Sequence, residues 1–238
     1  MRSVNDLKVM RIEEGLLTVR KCNRTAVAVF GVAVAVAGCS SPQSPSGTSD
    51  TPAALVTASS TSVSAPSAAP VDGCVASDVP RVTLDAKAPG EPVLAVPTPQ
   101  GWEYSAAMNS PLIRGVVANV GLRANDFTPN AVVTLEDLTG KVASAQQGVE
   151  AEIASVEQGG MAIESRSVGT VCGHPSSTMT YTLQNRPVTA LIAAVEDGPR
   201  IWATVLTIQT TEPQNPAYTA GKQSILEGFQ FTVPGKSH

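Results

Sequence analysis

The chain is short of the residues from which most catalytic sites are assembled. It holds two histidines in 238 residues. His238 is the last residue, and His174 stands between Gly173 and Pro175 in a turn-type segment beside Cys172, where a lone imidazole is ordinarily a solvated side chain. No Gly-x-Ser-x-Gly elbow, His-Glu-x-x-His pair, Ser-x-x-Lys nucleophile, Walker loop or dinucleotide glycine pattern occurs. The acid pairs Glu136-Asp137, Glu150/Glu152 and Glu196-Asp197 read as solvated strand ends or helix faces rather than as a general acid and its base. No second ligand pair with metal-site spacing accompanies Cys172 and His174, so no metal or other cofactor is expected and no catalytic residue is assigned. Aromatic residues make up 4% and charged residues 15% of the chain, and neither is spread evenly.

What is present begins with a leader. Residues 1–38 carry six basic residues (Arg2, Lys8, Arg11, Arg20, Lys21, Arg24) against the acids Asp6, Glu13 and Glu14, a balance of +3; removing it from the whole-chain −4 leaves −7 from Cys39 onward. A surface this acidic repels phosphate backbones and anionic headgroups, which argues against nucleic acid as a partner and against electrostatic docking to membranes. Membrane attachment is instead encoded chemically. After the cations Arg20, Lys21 and Arg24 comes an apolar stretch, Thr25 to Val36, of about a dozen residues, well short of the roughly 20 that span a bilayer. It reads as the apolar region of a signal peptide. With no twin-arginine pair, general secretion is the simpler route. The stretch ends in Val36-Ala37-Gly38-Cys39, small residues leading to a cysteine. This resembles the bacterial lipobox, in which the thiol receives a diacylglycerol and the leader is cut just before it. An ordinary signal peptide or a buried core helix is the alternative. The acidic preface 1–19 is unusual for a signal sequence, and a start at Met10 or later would remove much of it. Two acyl chains, at about 0.8 kcal/mol per buried methylene, hold a protein stably where one is marginal.

Of four cysteines, Cys22 lies in the leader and Cys39 would be consumed by lipid, leaving Cys74 and Cys172. An even pair in an exported domain favours a disulfide, with two unrelated buried thiols as the alternative. Residues 39–73 are dominated by Ser, Thr, Pro and Ala and cannot bury enough surface to offset their ordering entropy. They are expected to form a disordered tether, bare or O-glycosylated, reaching some 30 Å.

The folded domain is expected over 74–234, followed by a short tail, 235–238. After a proline-punctuated lead-in, Trp102-Glu103-Tyr104, Gly115–Arg123 and Ala131–Leu138 read as strands. Val142, Ala145, Val149, Ile153 and Val156 recur at three and four residues, a helix closed by Gly159-Gly160. Ala162–Val171, Ser176–Leu183, Val188–Glu196 and Ile201–Thr210 are β-type runs parted by short turn signals, so they must run antiparallel. A helix from Pro216 to Gly228 and a strand Phe229–Val233 close the domain. The expected class is α+β: an antiparallel sheet flanked by helices, an α-β-α sandwich. Trp102, Tyr104 and Trp202 carry two readings, core packing or the wall of an apolar cleft that binds ligand, with Trp102 and Trp202 as the candidate ligand-binding residues.

The Pro99-Gln100-Gly101-Trp102 motif, the helix between sheet halves, the hairpins and the closing Ile225-Leu226-Glu227-Gly228-Phe229-Gln230-Phe231 resemble the LpqN/LpqT group of actinobacterial, chiefly mycobacterial, lipoproteins, which are similar in fold to the Mog1/PsbP superfamily. The resemblance implies an accessory protein of the cell envelope that attends mycolate-type lipids or their membrane transporters, and it carries no catalytic residues across. Two functions follow: a non-enzymatic binding lipoprotein, or an envelope hydrolase or transferase with an unfamiliar site.

Overall fold

The computed structural model describes residues 73–234. The expected leader, Cys39, the tether up to residue 72 and the tail 235–238 lie outside the described residues. The elements follow in the order β1 (Arg81–Thr83), β2 (Val93–Pro97), β3 (Glu103–Ser105), β4 (Ile113–Ala118), β5 (Asn130–Asp137), α1 (Ala145–Gln158), β6 (Ile163–Val171), β7 (His174–Leu183), β8 (Arg186–Asp197), β9 (Arg200–Gln209), α2 (Pro216–Gly228) and β10 (Gln230–Thr232).

Seven strands form one antiparallel sheet in the order β3-β4-β5-β9-β8-β7-β6, and β1, β2 and β10 form a second, smaller one. The meander from β6 to β9 is set by its turns. Val171 pairs with His174 across Cys172 and Gly173, and Leu183 with Arg186 across Gln184 and Asn185; all four turn residues have positive φ. Two such residues in a row twist with the right-handed strands that they join. Gly198, at φ +58°, begins the β8–β9 turn.

Period-2 alternation gives the large sheet two apolar faces. One carries Ala131, Val133, Leu135, Leu206 and Ile208 and packs against the small sheet and α2 through Leu94, Val96, Ile225 and Phe231. The other carries Val188, Ala190, Ile192 and Ala194 and is covered by Val149 and Ile153 of α1. Each helix starts where the sequence supplies a cap. Ser144 accepts from the Gln147 amide ahead of α1, and Asn215 accepts from the Ala217 and Tyr218 amides ahead of α2, with Pro216 at its first position. Gly148 lets α1 approach closely: a Cβ there would lie 3.1 Å from that of Ala194.

The α+β class is as expected, with two antiparallel sheets and two helices. Three details differ. The proline-punctuated lead-in supplies β1 and β2, so a second sheet shares one face with α2. The strand expected over Gly115–Arg123 stops at Ala118, where buried Asn119 leads into a 3-10 turn over Val120–Leu122. The first helix begins at Ala145, because the Ser144 cap places Val142 before its first turn.

Candidate functional site

A cavity of about 50 Å³ lies between the C-terminal half of α1 and the sheet. Its position follows from strand parity. On β9, Val205, Thr207 and Gln209 point toward α1, while Leu206 and Ile208 point into the larger core. Thr134 of β5 joins them from one side, Tyr181 and Leu183 of β7 from the other, and Glu152, Ser155, Val156 and Met161 close the wall. The lining is graded. Thr134, Glu152, Thr207 and Gln209 are buried, whereas Val156, Met161, Leu183 and Val205 are half-buried and form an apolar rim.

Gln209 is the outstanding group. Its side chain is fully buried, and neither Nε2 nor Oε1 meets a protein partner. Directly opposite in the β5–β9 ladder stands Asn130, whose Nδ2 donates to the Thr128 carbonyl at 2.9 Å while its buried Oδ1 has no protein partner. An unmet buried polar group costs about 1–3 kcal/mol, so these two neighbouring amides are an expensive feature of the sheet; Gln209 lines the pocket, while Asn130 lies outside its wall. Two of the hydroxyls at the site are engaged by main chain: Ser155 Oγ donates to the Ala151 carbonyl at 2.9 Å and Thr134 Oγ1 to that of Val205 at 3.4 Å. Chemically, the arrangement offers apolar surface across its mouth and buried polar residues beneath it.

Sequence reasoning did not find this site. It treated Glu152 with Glu150 as solvated; Glu150 is indeed exposed and bonded to Arg166, but Glu152 is only 4% exposed and sits in the pocket wall. The signal was available, since Glu152 lies three residues after Val149 on the apolar stripe of α1. Gln209 looked like the polar end of an apolar strand, and only the β5–β9 register reveals the amide opposite it.

The expected site residues fall elsewhere. Cys74 and Cys172 are joined, with an S–S distance of 1.95 Å, and Cys172 Sγ accepts from the Phe231 amide at 3.5 Å. Trp102 and Trp202 are 4% and 5% exposed and belong to the main core, on the opposite face of the sheet from the pocket. Trp102 lies beneath α2, with its ring centroid 6.3 Å from that of Tyr218, and burial pushes the Tyr218 hydroxyl up to about 12. His174 opens β7, edge-on to Phe231 at 6.1 Å. On β4, buried Arg114 makes a bidentate pair with Glu91 at 2.7 and 2.8 Å. Burial opposes ionisation of Glu91, but the hydrogen bonds from Arg114 and the Lys87 and Ala88 amides outweigh it, and the carboxyl is held below the usual range. Among the described residues, no group of three His, Cys, Asp or Glu is placed to hold a metal, and no helix is long and apolar enough to cross a membrane.

A two-sheet α+β sandwich with one helix on each face and a small internal pocket is a scaffold class rather than an activity. Within that class, the chain belongs to the family described as "Probable lipoprotein LpqN", whose sequence model matches residues 75–232. The crystal structure of LpqN from Mycobacterium tuberculosis, described as involved in cell envelope biogenesis, is similar at 15% identity and a TM-score of 0.50, covering 66% of this chain and 92% of that one. Cyanobacterial PsbP from Synechocystis aligns at 12% identity and a TM-score of 0.40, covering 65% of this chain and 94% of that one. The Saccharomyces cerevisiae Ran-binding protein Mog1p aligns at 8% identity and a TM-score of 0.40, covering 64% and 95%. No curated protein sequence matches the chain.

Proposed function

We propose that the protein is an accessory lipoprotein of the cell envelope, held at the outer face of the membrane by lipid on Cys39 and a tether over residues 39–73, whose 74–234 domain binds an apolar envelope molecule without transforming it. The observation that carries the reading is the graded pocket: an apolar rim of Val156, Met161, Leu183 and Val205 over buried Thr134, Glu152, Thr207 and Gln209. A site that binds needs this combination of apolar area for affinity and few polar groups for orientation. Membership of a lipoprotein family and the lipobox-like Val36-Ala37-Gly38-Cys39 support the anchor. The envelope role printed for LpqN supports the setting.

The rival is a hydrolase or transferase. Such an enzyme needs a nucleophile within hydrogen-bond reach of a base. At this pocket the Ser155 and Thr134 hydroxyls donate to main-chain carbonyls instead, which supports binding over catalysis. A membrane transporter remains a second kind of partner, one that would receive the ligand from the domain.

Native mass spectrometry of the protein extracted from its own membrane tests the proposal. The expected result is a covalent diacylglycerol on Cys39 and a second, non-covalent apolar molecule released on unfolding. A Cys39→Ala chain should accumulate as unprocessed precursor. A mature, detergent-partitioning Cys39→Ala product would remove the anchor from the proposal, and extracted protein free of any bound molecule would remove the ligand.

A further inference from the structure

We infer that β6 is a docking edge for a second copy of this chain, the two strands pairing antiparallel about a two-fold axis at Val168 so that the two seven-stranded sheets run on into one another. The pairing goes beyond the ligand reading and does not depend on it.

The large sheet ends in two strands that are built differently. β3 has three residues, too few to template a partner. β6 runs for nine residues without proline, and every residue from Glu164 to Thr170 is exposed, so neither α1 nor the small sheet closes over it. Among the described residues, no strand pairs with its outer side. The two-residue turn makes Val171 and His174 a hydrogen-bonded pair, which aims the N–H and C=O groups of Thr170, Val168 and Arg166 outward. Edges of this length are ordinarily blunted by charge, proline or a bulge. In β6 the register shifts between Ile163 and Ser165, which leaves Ser165–Val171 regular, and the midpoint of that run is Val168. Val168 is also 74% exposed, the highest figure among the large apolar residues described.

The axis selects a copy of the same chain. It sets Arg166 opposite Thr170 of the second copy, Ser167 opposite Gly169 and Val168 opposite itself, so no like charges meet. Arg166 is held on its own domain by Glu150 and Ser177, and Glu164 by Thr182. The strand therefore brings no free charge to a seam between two chains that each carry −7 from Cys39 onward, and a strongly charged partner would find nothing there to match. The rest of the chain leaves the seam clear. A Cβ on Gly73 would lie 3.5 Å from the Cys172 carbonyl, so the 72 residues before it depart at the β6–β7 turn, and the axis puts the two departures at opposite ends of the seam. A seam one strand deep falls below the roughly 1,200 Å² of a standard stable interface, so the association is weak and rises with local concentration.

The test uses the full chain, first in the envelope of the cells that make it. Hydrogen-bonded partners in an antiparallel pair have Cα atoms about 5.5 Å apart, so Val168→Cys should yield a covalent dimer with a short bismaleimide. Val120→Cys, exposed beyond β4 at the other side of the sheet, should yield about tenfold less, the ratio that 1.4 kcal/mol of specific pairing produces. Sedimentation velocity of the purified full chain in detergent then reads the axis itself. Val168→Lys sets two ammonium groups face to face and should weaken self-association about tenfold with Tm unchanged, and an equal mixture of Val168→Lys and Val168→Glu chains should restore it. Val168→Cys crosslinking no better than Val120→Cys, crosslinking to a different protein instead of a second copy, or a Lys and Glu mixture no more dimeric than Val168→Lys alone each overturns the inference. Where Val168→Lys does not fold, the two cysteine variants decide.

Discussion

Gly221 is the position at which adding one carbon should do the most damage. A Cβ built on it would fall onto Nε1 of Trp102 and lie 2.9 Å from Cε2 of the same ring, whereas ordinary contact begins at 3.4 Å, so the ring or α2 must give by about 0.5 Å at Cε2 and by more at Nε1. Neither is free to move. The ring is 4% exposed and packed beside Tyr218, and α2 is pinned by Ile225, fully buried against the small sheet. On an exposed helix face, glycine to alanine would stabilise by roughly 1 kcal/mol through chain entropy. Here that gain is set against overpacking, which typically costs about 1–3 kcal/mol and occasionally more. Because the overlap at Nε1 is so severe, the cost is expected in the upper part of that range, about 2–3 kcal/mol, so Gly221→Ala should destabilise by about 1–2 kcal/mol net, a fall in Tm of roughly 2–8 °C for a domain of this size. Thermal melts of the full chain followed by circular dichroism measure it. The companion is Trp102→Leu, which removes the obstructing ring; in that background Gly221→Ala should become neutral or stabilising. A Gly221→Ala chain that melts with wild type, or a cost that persists in the Trp102→Leu background, would refute the account of how α2 seats.

The same core predicts that Trp102→Ala and Trp202→Ala each cost about 3–5 kcal/mol of stability in urea titrations; a variant that keeps its stability but loses ligand would return that ring to the list of site residues. Non-reducing peptide mapping should link the Cys74 and Cys172 peptides, and replacing both by Ser should cost on the order of 4 kcal/mol, given their sequence separation of 98; free thiols in freshly exported protein would contradict the bridge. Because the native Glu91 carboxyl is held below its usual value, its contribution is full above about pH 4.3 and is lost as pH falls through the lower native value, so Glu91→Gln should flatten the acid limb of the stability curve. Tyr218 works in the other direction. Its native value near 12 lies above the ordinary tyrosine value of about 10, so stability is full below pH 10 and declines above it, by roughly 2 kcal/mol at pH 12, and Tyr218→Phe should remove that alkaline loss.

The legible parts of the chain were those where local chemistry and tertiary demand agree. The meander could be read because Gly173, Asn185 and Gly198 sit where positive φ is required, and α2 because Asn215-Pro216 caps it and Gly228 closes it. β1 and β2 were not legible: strands of three and five residues flanked by prolines show no alternation, and they exist because β10, far along the chain, pairs with β2. The pocket was hidden for a related reason. Glu152 and Gln209 are 57 positions apart, and what brings them together is the packing of α1 over the sheet, which no local pattern encodes. Trp102 and Trp202 attracted attention as rare, large rings, yet such rings are also what a core with few aromatics needs most.

The bridge between Cys74 and Cys172 has a mechanical meaning. Any pull arriving from the N-terminal side reaches Cys74 before it reaches β1, whose three residues would peel from β2 one hydrogen bond at a time. The covalent link diverts that load into the turn between β6 and β7, a hairpin paired from Ile163 and Tyr181 to Val171 and His174. The domain is thus gripped by its outer hairpin rather than by a three-residue strand, and a pull on its N-terminal side does not unravel the small sheet first.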